Sequence, residues 1–239
     1  MLKKMYLTNF LSFKERTEFD FSASKYSILS KTNVYDNEIL KGALFLGPNA
    51  SGKSNALKGI SFIIDMIKGE GTAFQKYRCF FSDNPITTVE YEFEFEHKKV
   101  EYEIEHNFKE NSISENIKID NITVLNRKGN KGELRIGGNI IVDEHVDAET
   151  LFFRTASFNT GRFPQEPTLR KLMDFLQNSY IVDGYNRGAS YGKSIIRYAE
   201  NFGVEKINEY LESFGYDFNI EYGTESEGEG LKIVIGEDK

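Results

Sequence analysis

Cysteine is almost absent from this chain of 239 residues, since Cys79 is the only one. A single cysteine excludes an internal disulfide and a cysteine-based metal cluster, so we expect a buried, inert thiol. The three histidines, His97, His106 and His145, stand in no spacing typical of metal ligands, which favours ordinary strand or loop positions. The sequence therefore gives no support for a disulfide scaffold or a cysteine–histidine metal centre.

Long apolar runs and an excess of positive charge are lacking as well. No stretch approaches the roughly 20 apolar residues that a membrane span needs, and residues 1–4 lead into an alternating strand, unlike a signal peptide. We therefore expect a cytoplasmic protein without a membrane partner. The net charge of −7 disfavours a broad grip on nucleic acid by this chain alone.

The most specific feature that is present is a glycine-rich loop. Residues 47–54 read G-P-N-A-S-G-K-S, which matches the phosphate-binding pattern G-x-x-x-x-G-K-[ST] of P-loop nucleotide hydrolases. The motif requires a strand before it and a helix after it; residues 42–46 are predicted to form a short buried strand and residues 55–67 a helix. The apolar stripe of this helix would consist of Leu57, Ile60, Ile64 and Ile67. A chance match in a glycine-containing turn is the alternative.

The residue types of the loop predict its chemistry. Gly47 and Gly52 allow successive backbone N–H groups to point at a phosphate, and the start of a helix adds partial positive charge. Lys53 can reach the β- and γ-phosphates, and the Ser54 hydroxyl is the expected protein ligand of Mg²⁺. We therefore expect ATP and Mg²⁺ to bind here. The predicted nucleotide-binding residues are Gly47, Pro48, Asn49, Ala50, Ser51, Gly52, Lys53, Ser54 and Asn55.

The chain divides into three zones, and together they predict an α/β fold. Residues 1–84 are predicted to form the P-loop nucleotide-binding core, residues 85–151 an antiparallel β subdomain, and residues 152–239 a helical region and the start of a second lobe. In the last zone, apolar spacing predicts helices over 169–176, 195–202 and 204–214, followed by strands over 216–220 and 231–235.

The clearest periodicity in the chain lies at the start of the second zone. Apolar residues alternate with glutamates from Val89 to Phe95 and, after a turn near His97, from Val100 to Glu105. This pattern predicts an antiparallel hairpin with one apolar and one acidic face. We interpret the acidic face as solvated; a metal site or a basic partner is the alternative.

Two further segments imitate catalytic motifs. In residues 188–194, G-A-S-Y-G-K-S, three residues separate the glycines where four are required, so a helix start with Ser194 near the cap is favoured. In residues 140–144, I-I-V-D-E, Asp143 could hold Mg²⁺ and Glu144 could activate water, as in a Walker B strand. We favour a hairpin strand, because central parallel strands are longer and more uniformly apolar. Glu144 nevertheless remains the one candidate catalytic residue.

Two motifs together carry a resemblance to a known family. Residues 9–14, N-F-L-S-F-K, are followed about thirty residues later by residues 44–55, L-F-L-G-P-N-A-S-G-K-S-N. The pair resembles the N-terminal lobe of ABC-type ATPases of the RecF, SMC and OLD group. The chain looks most like the stand-alone ATPases of bacterial anti-phage and abortive-infection systems. In that group an antiparallel β subdomain and then a helical region follow the P-loop helix.

The resemblance implies roles for individual residues. It assigns phosphate binding to Asn49, Gly52, Lys53 and Ser54. Leu11 stands where many relatives carry an arginine that approaches the nucleotide. Gln165 is the candidate for a glutamine that senses Mg²⁺ and the γ-phosphate, an ordinary loop glutamine being the alternative.

The resemblance also implies partners. Two heads would sandwich ATP as a homodimer, and hydrolysis would gate an effector protein such as a nuclease or a translation-blocking partner. The signature motif, a Walker B strand with its D-loop and the switch histidine belong to the C-terminal lobe of such proteins and are not found here, so we expect a truncated chain or a second polypeptide.

The leading hypothesis is an ATP-binding lobe that controls an effector in phage defence. The alternatives are a self-sufficient P-loop ATPase or kinase that uses Asp143 and Glu144, and a nucleotide-responsive module that does not hydrolyse.

Overall fold

The computed structural model describes residues 1–23, 33–35, 38–69, 74–158, 166–179, 203–213, 215, 218–225 and 228–235. The chain forms two compact units, Met1–Ser179 and Tyr180–Lys239. The helix start predicted within residues 188–194, the predicted helix at 195–202 and Gln165 lie outside the described residues.

An eight-stranded, fully antiparallel sheet forms the centre of the first unit. Including two strands outside this sheet, the described strands of the unit are β1 (Leu2–Thr8), β2 (Thr17–Asp20), β3 (Val34–Tyr35), β4 (Ile39–Leu40), β5 (Ile86–Phe95), β6 (Lys98–Asn107), β7 (Ser112–Ile119), β8 (Ile122–Lys128), β9 (Lys131–Ile136) and β10 (Asn139–Asp143). Their order in the large sheet is β10-β9-β8-β7-β6-β5-β1-β2, and β3 pairs with β4 separately. Because β5 pairs with β1, the strands of residues 85–151 continue the sheet that the N-terminal strands begin.

The predicted acidic hairpin is confirmed as β5 and β6. Glu96 and His97 form its two-residue turn with φ angles of 51° and 63°, as a type I′ turn requires. One face carries the apolar residues into the core, where Tyr91, Phe93 and Tyr102 are each 1% exposed.

The opposite face of this hairpin carries the glutamates. Arg16 pairs with Glu90 at 2.7 Å, and Lys99 pairs with Glu101 at 2.6 Å. Exposed pairs of this kind stabilise little, but they neutralise neighbouring carboxylates on a solvated surface. The geometry agrees with the solvated-face interpretation.

Three described helices of the first unit pack on the apolar side of the sheet. They are α1 (Lys53–Lys68), α2 (Phe152–Phe158) and α3 (Pro167–Gln177), and a short 3₁₀ helix spans Phe74–Tyr77. The predicted helices at 55–67 and 169–176 are thus confirmed, and their buried side chains join the strand residues in one core cluster.

The orientation of α1 differs from the predicted stripe. Leu57 is 52% exposed, whereas Ala56, Gly59 and Ile63 are buried. Gly59 decides the contact face, because a Cβ there would lie 2.9 Å from both Leu7 and Met5. The missing side chain lets the helix lie directly on β1, which turns Leu57 outward.

The predicted buried strand at residues 42–46 is wrong. These residues form no strand, and Leu44 and Leu46 are each 81% exposed. Only Phe45 packs inward, with its ring 6.1 Å from Phe19. Both edges of β1 are already taken by β2 and β5, so the segment has no place beside it in the sheet.

The second unit contains one described helix and one described hairpin. Helix α4 (Val204–Ser213) precedes β11 (Phe218–Glu225) and β12 (Gly228–Ile235), which pair in antiparallel register. The Asn208 side chain bonds both the N–H and the carbonyl of Ile220, which fixes the helix to the first strand. The predicted helix at 204–214 and the two predicted strands are confirmed over their described residues, and β11 ends later and β12 begins earlier than predicted. No helix in the described part of the chain is long and apolar enough to cross a membrane.

Candidate functional site

The glycine-rich loop leads directly into the first turn of α1. Gly52 is the N-cap residue, with φ of 92°, and Ala50 also has a left-handed φ of 62°. The first helical hydrogen bond runs from the Ala56 N–H to the Gly52 carbonyl at 2.9 Å. The N–H groups of residues 53–55 precede that bond, and no described side chain caps them. They can therefore bind an anion at the positive end of the helix dipole.

Gly52 also has to be glycine for steric reasons. A Cβ at this position would lie 3.3 Å from the Phe13 ring and 3.4 Å from the Ser12 hydroxyl, in addition to the strained φ. At Gly47 a Cβ would lie 2.9 Å from the Ser51 hydroxyl. Both glycines are thus needed for the compact curl of the loop.

Lys53 lies over this loop. Its Nζ donates to the carbonyl of Gly47 at 2.7 Å and to the carbonyl of Pro48 at 2.5 Å. The loop's own backbone carbonyls therefore hold the ammonium group of this first residue of α1 against the loop. Ser54, the next residue, is exposed, and its hydroxyl can serve as a ligand for a hard cation such as Mg²⁺.

The structure brings the two sequence motifs together, although about thirty residues separate them. The Asn55 side chain on α1 donates to the Ser12 hydroxyl at 2.9 Å. Phe13 lies against Gly52, as noted above. The N-F-L-S-F segment thus forms one wall beside the loop.

Asn9 holds that wall in place, a role that the sequence motif did not reveal. Its side-chain amide donates to the carbonyls of Asn84 and Ile86 at 2.8 and 2.7 Å. Its φ is 53°, a conformation that asparagine tolerates better than most residues. An asparagine directly after a strand is the signal that could have identified this turn.

Leu11 of the N-F-L-S-F segment faces inward. It has a φ of 51°, and its side chain packs against the core cluster. Its N–H donates to the Tyr77 carbonyl at 2.8 Å. Leu11 therefore secures the segment to the 3₁₀ helix.

Asp143 and Glu144 lie elsewhere. β10 is an edge strand that pairs antiparallel with β9, which confirms the hairpin interpretation. Asp143 accepts a bond from the His145 N–H at 3.0 Å, and Glu144 pairs with Lys131 at 2.9 Å. Six strand spacings separate β10 from β1, about 29 Å at ~4.8 Å per strand. The structure does not bring these carboxylates to the glycine-rich loop.

In the part of the chain that the structure describes, the other candidate ligands form no metal centre. Cys79 is a free, fully buried thiol, as predicted. Within the described ranges, no three side chains of the histidine, cysteine, aspartate and glutamate types are placed to hold a metal ion.

A buried ionic network was not foreseen from the sequence. Arg127 and Glu115 have fully buried side chains that meet at 3.1 Å. Glu115 also accepts from the Tyr102 hydroxyl at 2.7 Å and from the N–H groups of Phe152 and Phe153, which begin α2. Because Arg127 donates to three backbone carbonyls as well, every charge is satisfied, and the network joins the sheet to α2.

Comparison with known families agrees with this geometry. The model of a family described as "AAA domain, putative AbiEii toxin, Type IV TA system" matches residues 43–157, just under half of the chain. The matched range begins before the glycine-rich loop and ends in α2. This match supports a P-loop ATPase domain of the AAA type. The mixed α/β fold, with its large antiparallel sheet and packed helices, is consistent with such a domain. No curated protein matches the chain.

Proposed function

We propose that this chain is the ATP-binding lobe of an ATPase of the RecF, SMC and OLD type, which couples binding and hydrolysis of Mg·ATP to the control of an effector protein. The observation that carries the proposal is the start of α1, where uncapped N–H groups and the Lys53 ammonium meet at one glycine-rich loop.

The residues present fit a magnesium-bound triphosphate. The N–H groups at the start of α1 would bind phosphate oxygens, and Lys53 would exchange its two carbonyl partners for them. Ser54 would supply a hydroxyl ligand to Mg²⁺. When bound, Mg·ATP supplies a phosphoanhydride whose cleavage can drive a conformational change. The chain's own contribution is to hold the phosphates and to balance their charge.

The proposed context is phage defence by abortive infection. It is supported by the family description, which names a toxin of a type IV toxin–antitoxin system, and by the resemblance of the two motifs. A second head that closes over the nucleotide, and an effector that responds to it, rest on analogy with that group. The exposure of residues 47–51 leaves this side of the loop accessible to such a head.

Binding and turnover measured on the same purified chain test the proposal. We expect saturable Mg·ATP binding with hydrolysis close to the protein-free background, because hydrolysis also needs a positioned water and a carboxylate within reach of it. Turnover that rises steeply with protein concentration would support an active site formed between two heads. Absence of Mg·ATP binding would contradict the proposal. Robust turnover that is lost in Glu144→Gln would favour a self-sufficient ATPase instead.

A further inference from the structure

We propose that a cavity at the end of α1 remote from the glycine-rich loop is a second binding site, for a small uncharged heteroaromatic molecule of nucleobase size. The cavity has a volume of about 250 Å³. It lies in the first unit and is bounded by α1, the 3₁₀ helix, the β6–β7 turn and the segment that leads into α2. Its principal lining residues are Met66, Phe74, Gln75, His106, Glu149 and Arg154.

The first observation is a buried polar atom without a partner. His106 lines the cavity and is only 3% exposed, yet its Nδ1 has no hydrogen-bond partner among the described residues. A buried nitrogen in this state costs free energy, so each such atom needs an explanation. A hydrogen-bonding atom of a molecule in the cavity would satisfy it.

The imidazole is held firmly in this position. Its ring stacks on Phe74 at a centroid distance of 4.6 Å and lies edge-to-face with Phe108 at 4.6 Å. Burial lowers the pKa of His106, and a side-chain hydrogen bond with Asn111 opposes the shift. A neutral ring fixed between two aromatic side chains presents a polar atom at low entropic cost.

The cavity is bordered by groups of both charges. Glu149 and Arg154 both line it, so the lining favours neither an anionic nor a cationic occupant. Gln75 and Asn111 add amide groups that can donate and accept. A neutral molecule with adjacent donors and acceptors is compatible with all four side chains.

The size and the apolar walls favour a planar heterocycle. Met66 and Phe74 provide apolar surface, and 250 Å³ lies just below the range of about 300–1,000 Å³ that is typical for drug-sized ligands. A single base fits this limit better than a complete nucleotide.

The cavity is separate from the proposed nucleotide site. α1 has 16 residues, which gives a length of about 24 Å at ~1.5 Å per residue. Lys53 begins the helix, whereas Met66 and Gly69 stand at its opposite end. Arg154 connects the cavity to this end, because its Nε donates to the Ile67 carbonyl at 3.0 Å.

Nitrogen-detected NMR of the imidazole rings tests the proposal on the full chain. The protein has three histidines, so a His106→Phe variant identifies the His106 signals. Adenine is the probe, with benzoate and benzamidinium as anionic and cationic counterparts. We expect adenine to shift the His106 Nδ1 resonance saturably, and the two ions to leave it unchanged.

Variants then locate the site. Gln75→Ala and Glu149→Ala should each weaken adenine binding roughly two- to tenfold, the range for one lost hydrogen bond. Glu110→Ala, an exposed glutamate in the neighbouring turn, should leave the affinity unchanged, and so should Lys53→Ala. The proposal is overturned if millimolar adenine leaves Nδ1 unshifted, if the charged probes bind better, or if Lys53→Ala removes the shift.

Discussion

At the scale of single residues, Lys53 and Ser54 are neighbours with different tasks. The lysine ammonium already bonds two loop carbonyls, whereas the serine is exposed at the first turn of the helix. Neither side chain belongs to the core cluster. Substitutions at these positions should therefore change ligand binding and leave the fold intact.

Replacement of Ser54 tests the binding of Mg²⁺ separately from the binding of the phosphates. Ser54→Ala should remove most of the gain in ATP affinity that Mg²⁺ provides, because it deletes the hydroxyl ligand and retains the backbone N–H. Calorimetric titration of ATP with Mg²⁺ and with EDTA measures this gain. Ser61→Ala, on the same helix, is the control. Equal Mg²⁺ dependence in Ser54→Ala and parent would show that Ser54 does not contact the metal.

His106 should make stability depend on pH. Burial depresses its folded-state pKa, so the unfolded chain binds the proton more readily. The stability that the neutral His106 contributes is fully present above the unfolded-state pKa of about 6.5. It is lost as the pH falls through the lower pKa of the folded state. Urea unfolding between pH 7.5 and 5 should therefore show a steeper loss for the parent than for His106→Phe. Parallel curves would contradict the shift.

At the scale of elements, periodicity predicted structure wherever the partner of an element is close in sequence. β5 and β6 alternate strictly and pair across a two-residue turn, so the hairpin could be read from the chain. The buried face of α1 could not be predicted from the chain in this way. It depends on the absence of a side chain at Gly59 where the helix contacts β1, which lies some fifty residues earlier. The strand predicted from the apolar run at 42–46 is absent for a similar reason: the run is apolar enough for a buried strand, but β2 and β5 occupy both sides of β1.

In the candidate site, too, the local parts could be predicted from the sequence and the parts that depend on distant residues could not. The loop at 47–54 and the start of α1 are local, so the motif sufficed to predict them, although the strand that it predicts at 42–46 does not form. The contact between Asn55 and Ser12 and the anchoring of Asn9 depend on tertiary packing and were not predicted. The Glu115–Arg127 network was missed because single charged residues within alternating strands are typical of exposed faces.

This network should be the most sensitive polar element of the fold. Glu115→Ala leaves Arg127 buried without its counter-ion and should lower the free energy of unfolding by about 3–5 kcal/mol. Glu90→Ala breaks an exposed pair with Arg16 and should cost under ~1 kcal/mol. Urea denaturation measures both changes. A loss for Glu115→Ala as small as that for Glu90→Ala would show that the pair is dispensable, and Glu115→Ala with Arg127→Met should recover part of the loss.

At the scale of the whole molecule, the wide sheet separates the two regions that carry candidate chemistry. The glycine-rich loop lies near β1, whereas Asp143 and Glu144 lie on the edge strand β10. The double variant Asp143→Asn and Glu144→Gln should therefore bind Mg·ATP within about twofold of the parent, well below the roughly tenfold change that a lost charged contact produces. A large loss of affinity or turnover in this variant would show that β10 contributes to the site.

The central claim is that residues 47–54 bind the triphosphate, and calorimetry of Lys53→Ala tests it most directly. We expect an affinity for Mg·ATP roughly tenfold to a hundredfold lower than that of the parent, with an unchanged melting temperature, because a charge-assisted contact is lost and no core residue is altered. Lys58→Ala, an exposed lysine on the same helix, should bind as the parent does. If Lys53→Ala binds Mg·ATP as tightly as the parent, the assignment of the loop is wrong.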